Sequence, residues 1–193
     1  MILFLYFIIA VIAGVIYASF FEWLLHKFVM HRPLFGFTYP FDAHAGTHHR
    51  IFKANATYHL QRDEDKRTIP MAWWNSCVLV PLATTPFFLF SILFLDFPSG
   101  VAVTFGGFFS IAAYYGAYEY LHWCMHLPRK RRLELGWVFQ RLNGHHLLHH
   151  RYMHRNFNVV LPLADLCLFT LQLRSETRFA QPIHPAVPDV QPK

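Results

Sequence analysis

Ten of the 14 histidines in this 193-residue chain fall in four short groups whose spacing suits metal binding. In chain order the groups are His26 and His31; His44, His48 and His49; His122 and His126; and His146, His149 and His150. Imidazole is the commonest metal ligand among side chains, and residues four apart lie on one face of a helix. The pairs with that spacing are His44/His48, His122/His126 and His146/His150. We expect each of these pairs to face one metal site.

The spacing favours two metal ions over one. His26 and His31 are five apart, which is about 140° around an ideal helix. They therefore need a bend or a helix end between them to reach one ion, or they bind two different ions. Adjacent residues such as His48 and His49 point in diverging directions, which suits two ions lying close together. Nitrogen ligands alone leave iron, zinc and copper open.

The other four histidines are weaker candidates. His145 and His154 lie next to the last group and are reserve ligands, because His145 could take the place of His146. His59 and His184 are isolated, and an isolated histidine near a membrane is ordinarily an interfacial polar residue.

Three apolar stretches are predicted to position these groups. Residues 1–21 and 71–95 contain no charged side chain, and residues 101–121 contain only Glu119. Each stretch is long enough to cross the roughly 30 Å hydrocarbon core of a bilayer as a helix. A short turn over residues 96–100 is expected between the second and third spans.

The end of the chain has a different character. Residues 157–173 are apolar but interrupted by Pro162 and Asp165, so we expect an interfacial or re-entrant segment there. Residues 181–193 hold four prolines and are predicted to form an unpacked tail.

Charge places the histidines on one side of the membrane. Of the 17 Lys and Arg, seven lie between residues 22 and 70 and ten after residue 121, so none lies in a predicted span. The positive-inside rule makes that side cytoplasmic, in a bacterial inner membrane or the endoplasmic reticulum. The net charge of +6 suits anionic headgroups or an acidic protein. No nucleic-acid-binding motif is present, so nucleic acid is not an expected partner.

In order and spacing the four groups resemble those of the fatty acid hydroxylase/sterol desaturase superfamily, whose members are integral-membrane non-haem di-iron enzymes. The resemblance runs from about residue 22 to residue 170. It includes the stretch Asp65-Lys-Arg-Thr-Ile-Pro70 and the stretch from Asn156 to Asp165 followed by Thr170. Two features depart from the family pattern. Phe169 stands where the family commonly has glycine, and the loop from His49 to Pro70 is longer than usual.

The resemblance implies an all-α membrane domain over residues 1–180, with about three transmembrane helices, the interfacial segment and a cytoplasmic helical cap that carries the metals. It implies two iron ions, which zinc can replace in purified protein, and O2 as co-substrate. The implied reaction is hydroxylation of an unactivated C–H bond in a lipid such as a fatty acyl chain. Electrons would come from a separate cytochrome b5 or ferredoxin-type protein and its reductase, since no such domain is fused.

Three polar residues are candidates to support the ligands. Asp165 is the best candidate to orient a ligand imidazole through its free N–H, and Asn158 is a further one. Glu119 lies three residues before His122, nearly on the same helical face.

Several alternatives remain at this stage. The same centre could act as a desaturase or oxidase of a sterol, a carotenoid or an ether lipid, and small carotenoid hydroxylases share a similar histidine pattern. A membrane metal transporter or metal-binding protein belongs to another class. It would need polar ligands near the bilayer midplane, where these spans have almost none. A structural membrane protein with fortuitous histidines is the last alternative.

Overall fold

A computed structural model describes residues 1–173, and this part of the chain contains helices and loops but no strand. The α-helices are α1 (Ile2–Leu25), α2 (Tyr39–Ala43), α3 (His49–Ile51), α4 (Trp74–Phe94), α5 (Phe97–His126), α6 (Arg132–Leu135), α7 (Trp137–Arg151) and α8 (Leu163–Cys167). Two π-helical turns occupy His26–Met30 and His44–His48, and two 3-10 turns occupy Ala56–Tyr58 and Asp63–Thr68. The predicted tail and His184 lie outside the described residues.

Three helical stretches are long and apolar enough to cross a membrane, as predicted: Ile2–Met30, Trp74–Phe94 and Phe97–His126. The prediction of a turn over residues 96–100 is wrong, because α4 ends at Phe94 and α5 already begins at Phe97. Pro98 lies in the first turn of α5, where the missing N–H of a proline has no helical acceptor to lose.

Helix α5 packs against both other long helices. Glycines make this close approach possible. A Cβ atom at Gly106 would lie 2.7 Å from the carbonyl oxygen of Phe7 in α1, and one at Gly107 would lie 2.5 Å from the ring of Phe87 in α4. Small residues that let backbones approach are the usual basis of helix packing in membranes. The C-terminal end of α1, which His26 follows, therefore lies beside the C-terminal end of α5, which carries His122 and His126.

The segment 157–173 does not form a long helix. It contains only the short α8 and packs beside the end of α1. The Ser19 hydroxyl donates to the carbonyl oxygen of Leu161 at 2.7 Å, and the Trp23 indole N–H donates to the Thr170 hydroxyl at 2.8 Å. These bonds fix the segment against α1 three to seven residues before His26.

Candidate metal centre

The ten predicted ligands converge into two clusters of five imidazoles. Group 1 consists of His26, His31, His44, His49 and His149. Group 2 consists of His48, His122, His126, His146 and His150. Within each group, one ring nitrogen from every histidine lies within 4.8 Å of all the others. Nine of the ten residues are buried and His31 is half-buried.

The two groups lie next to each other. Adjacent histidines belong to different groups, as the divergence of neighbouring side chains predicted: His48 and His49 separate, and so do His149 and His150. The rings of His49 in group 1 and His150 in group 2 stack with centroids 4.2 Å apart. The fold thus forms two adjoining sites.

The expectation that His44 and His48 share a site is wrong, since they fall in different groups. The cause is the π-helical turn over residues 44–48, in which the N–H of His49 bonds the carbonyl of His44. A bond between residues five apart widens the turn, so residues five apart align instead of residues four apart.

A π-helical turn also brings His26 and His31 to the same site. The N–H of His31 bonds the carbonyl of His26 at 3.1 Å, which closes the π-helical turn His26–Met30. Both histidines therefore belong to group 1, with ring centroids 5.1 Å apart. π-Helical turns are uncommon and often lie at functional sites.

The spacing of the ring nitrogens fits a metal ion. Imidazole nitrogens bind a metal at about 2.1 Å, so neighbouring ligands on one ion lie roughly 3.0–3.4 Å apart. In group 1 the Nε2 atom of His149 lies 3.1 Å from that of His31 and 3.2 Å from that of His49. In group 2 the Nε2 atom of His146 lies 3.2 Å from that of His126 and 3.0 Å from that of His150.

Backbone carbonyls orient five of the rings. The Nδ1–H groups of these rings donate to carbonyl oxygens as follows: His26 to Phe157, His48 to Thr68, His126 to Tyr58, His149 to Arg155 and His150 to Phe52. Such a bond selects the tautomer with a lone pair on Nε2, which is the form that binds a metal.

Several lone pairs of the ring nitrogens face one another, an arrangement that favours a cation between them. The rings of His126 and His150 both present Nε2 lone pairs toward Nε2 of His146, whose single proton could satisfy only one of them. The buried Nε2 atoms of His48 and His122 have no hydrogen-bond partner at all. Because unpaired buried polar atoms are costly, the donor set fits a metal ion in each group better than a network of hydrogen bonds.

Burial keeps the imidazoles neutral, as metal binding requires. Burial lowers the pKa of His31 and of His48 to about 3 and that of His149 to about 4, with further lowering by neighbouring histidines. Burial also lowers the pKa of His146 and of His150 well below the ordinary value. Near pH 7 these side chains therefore do not need to lose a proton to bind a metal.

The long loop between His49 and Pro70 supports group 2. It supplies the carbonyls of Phe52, Tyr58 and Thr68 that hold one ring each. The sequence marked this loop as longer than usual in the resembled family, but nothing in its residue types indicated that its backbone would orient the ligands.

A second backbone segment supports group 1. Arg155 and Phe157 present their carbonyls to His149 and His26, and Asn156 between them has a φ of 55°. Asparagine tolerates this left-handed conformation better than most residues. The Asn156 side chain bonds Gln172 on both its oxygen and its nitrogen, which holds the turn.

Asp165 hydrogen-bonds this segment and not a clustered imidazole. Its buried carboxylate accepts hydrogen bonds from the N–H groups of Phe157 and Asn158 at 2.9 and 2.8 Å and from the Thr170 hydroxyl at 2.7 Å. Its one histidine partner is the reserve ligand His145, at 3.0 Å, which belongs to neither group. Asp165 thereby positions the carbonyl of Phe157 that orients His26.

The other supporting candidates bond to groups other than the clustered imidazoles. The Asn158 side chain donates to the Ser19 carbonyl and to Glu22 and accepts from the Asp165 N–H. The Glu119 carboxylate accepts from the Met71 N–H at 3.3 Å. The reserve ligand His154 is exposed and outside both groups.

Glu22 is a site residue that was not predicted. It lies one helical turn before His26 and accepts hydrogen bonds from the Tyr114 hydroxyl at 2.6 Å, the Asn158 side chain at 3.0 Å and the Val159 N–H at 2.6 Å. It joins α1 and α5 to the segment that holds group 1. A carboxylate at the end of an apolar span is costly without partners. The position of Glu22 at the end of the first apolar stretch could therefore have indicated its role from the sequence.

Two cavities border the histidine groups. An apolar cavity of about 80 Å³ lies between α1, α4 and α5 and reaches His26. A second cavity of about 320 Å³ lies on the side of the 44–48 turn and is lined by His44 of group 1 and His48 of group 2. Met71 lines both cavities.

Comparisons of the chain with protein-family models, with curated protein sequences and with solved structures find no match.

Proposed function

We propose that the protein is a membrane-bound di-iron oxygenase that hydroxylates an unactivated C–H bond of a lipid. The observation that carries this proposal is the division of ten histidines into two adjoining groups of five, with ring nitrogens spaced as around a metal ion. The resemblance of the four sequence groups to the fatty acid hydroxylase/sterol desaturase superfamily favours iron as the metal.

Two bound iron ions would supply the ability to reduce O2, which amino-acid side chains lack. In the overall reaction a C–H bond of the lipid is replaced by C–O–H. The second oxygen atom leaves as water, for which two electrons come from an external redox protein and two protons from solvent. Groups 1 and 2 would each hold one ion.

The protein residues around the ions have three tasks in this proposal. The carbonyls of Phe52, Tyr58, Thr68, Arg155 and Phe157 hold the imidazoles in the metal-binding tautomer. Burial of the rings excludes bulk water from the site. The hydrogen bonds of Glu22 and Asp165 fix the segment 156–159 that carries two of these contacts.

The apolar cavity supports a lipid as substrate. Most of its lining residues are apolar and belong to the three long helices; Glu22, three tyrosines and His26 complete the lining. An acyl chain entering from the bilayer between α1, α4 and α5 would reach group 1 without crossing water. The distribution of Lys and Arg supports a cytoplasmic location for the histidines, where a soluble electron donor can dock.

The decisive experiment is metal reconstitution followed by turnover. We expect two irons per chain after reconstitution of the purified protein, and O2-dependent addition of one oxygen atom to a lipid when a chemical reductant supplies electrons. Mass spectrometry of the lipids measures the product. Loss of two hydrogens instead would identify a desaturase, and turnover without O2 or failure to bind iron would contradict an oxygenase.

A further inference from the structure

The larger cavity beside the histidines is lined by a positively charged residue, Arg67, which binding of an apolar lipid chain does not explain. Arg67 is the one charged side chain in the lining, which otherwise consists of histidine, threonine, tyrosine and apolar residues. No carboxylate faces the cavity among the described residues that line it. Arg67 therefore adds a positive charge to a cavity that is also lined by His44 of group 1 and His48 of group 2.

Arg67 is free to bind a ligand. Its side chain is exposed and within residues 1–173 makes no hydrogen bond or ion pair, whereas Arg62 and Arg131 each pair with a neighbouring acid. A guanidinium group presents paired N–H donors that match the oxygens of a carboxylate or a phosphate. The ten imidazoles are neutral ligands, so they would not cancel the positive charge of bound metal ions, which adds to the attraction for an anion.

The two cavities are arranged as a head site and a chain site. Met71 lines both, with the charged cavity on one side and the apolar cavity between α1, α4 and α5 on the other. His44 and His48 border the charged cavity, and His26 borders the apolar one. A molecule with an anionic head and an apolar chain would match both linings while passing the histidines.

We propose that Arg67 binds the anionic head of a single-chain lipid, a carboxylate or a phosphate, and that the apolar cavity takes the adjoining chain. This inference rests on the proposed function, since it identifies the lipid as the substrate of the same site. The carbons nearest the histidines are then those close to the head. Oxidation is therefore expected within the first few carbons and not at the far end of the chain.

The test measures binding, which does not depend on oxygenase activity. Full-length protein is loaded with zinc in a neutral detergent, and radiolabelled hexadecanoate is displaced by hexadecyl phosphate, by hexadecan-1-ol and by inorganic phosphate. We expect the two anionic lipids to bind about tenfold or more tightly than the alcohol, because a hydrogen bond to a charged group contributes that much. Inorganic phosphate is expected to compete weakly because it lacks the chain.

Two variants test whether Arg67 is the residue that binds the anionic head. Arg67→Gln is expected to weaken hexadecanoate binding about tenfold, whereas Arg132→Gln, an exposed arginine that lines neither cavity, should leave it unchanged. Zinc content and circular dichroism verify that both variants are folded. Equal affinity for the acid and the alcohol, or equal effects of the two substitutions, would overturn the proposal.

The remaining outcomes are equally informative. Competition by inorganic phosphate as strong as that by the lipids would overturn the lipid assignment in favour of a free anion. Zinc cannot drive oxidation, so selective anionic lipid binding by the zinc form supports the head site even if the iron form produces no hydroxylated lipid. That second result would refute the proposed function alone.

Discussion

At the scale of single residues, the tautomer of each histidine decides what the site can bind. An imidazole whose Nδ1–H donates to a carbonyl presents only a lone pair from Nε2. Nine of the ten clustered histidines are buried, so water does not reach these lone pairs freely. In the 44–48 turn, His44 belongs to group 1 and His48 belongs to group 2. Substituting one or the other therefore tests each group separately.

Replacing either of these histidines should remove one metal and not both. His44→Ala removes a ligand of group 1 and His48→Ala a ligand of group 2, and both side chains are 2% exposed. We expect each variant to retain about one of two metal ions per chain, because metal binding depends on the complete ligand set. Elemental analysis of the purified variants measures this.

His154 provides the control for this comparison, since it is exposed and outside both groups. His154→Ala should bind as much metal as the unchanged protein. Full metal content in His44→Ala, or equal losses in all three variants, would contradict two independent groups.

Asp165→Asn should weaken both the fold and metal binding. Asparagine cannot accept at both ends, so the hydrogen bonds from Asn158 and His145 to Oδ2 lose their acceptor. We expect a loss of about 2–3 kcal/mol in the free energy of unfolding and roughly tenfold weaker zinc binding. Thermal unfolding and zinc titration measure the two effects, and the exposed Asp96→Asn serves as the control that should change neither.

At the scale of elements, short irregular turns determine which histidines meet. The π-helical turns His26–Met30 and His44–His48 align residues five apart. The left-handed residues Asn156 and Phe169 shape the segment that follows α7, with φ values of 55° and 56°. The family that the sequence resembles commonly has glycine at the position of Phe169, and the observed φ explains why glycine suits this position.

Phe169→Gly should therefore stabilise the protein. The left-handed conformation costs about 1–2 kcal/mol in a residue with a Cβ atom, part of which is offset by the greater freedom of glycine in the unfolded chain. Phe169 is 87% exposed, so its removal leaves no cavity. We expect a gain of about 0.5–1 kcal/mol, visible as a higher midpoint of thermal unfolding.

The neighbouring substitution Leu168→Gly is the matched control. Leu168 has a φ of −104°, which any residue adopts, so glycine there should lower the midpoint. A lower midpoint for Phe169→Gly as well would show that its ring has a packing role that outweighs the backbone effect.

At the scale of the whole molecule, the burial of nine of the ten clustered imidazoles and the partial burial of the tenth make the metal-free fold sensitive to acid. Burial lowers the pKa of His31 and His48 to about 3, so the folded state does not take up protons on these residues until far below the ordinary value of 6.5. The unfolded chain takes them up near 6.5. Stability is thus highest above that pH and falls as the pH decreases toward 3.

The expected result is a steep decline in the stability of the metal-free protein below pH 6.5. At pH 5 each buried histidine of this kind costs about 2 kcal/mol. Thermal unfolding of chelator-treated protein between pH 8 and pH 5 measures the decline, and the same series on zinc-loaded protein should show higher midpoints throughout. A midpoint that stays constant between pH 7 and pH 5 would contradict neutral, buried imidazoles.

The sequence by itself determined the all-helical character, the three long apolar helices and the identity of the ten histidines that cluster. Apolar length and helical spacing are local properties, and residues such as His122 and His126 need only one regular helix to face the same way. Only the tertiary structure decided how the histidines divide, because a π-helical turn separates His44 from His48. It also decided which carbonyls orient the rings and that Asp165 acts through the backbone of Phe157. The contact between His26 and Phe157 joins residues 131 positions apart. It depends on how α1 packs beside the segment after α7, which no local pattern specifies.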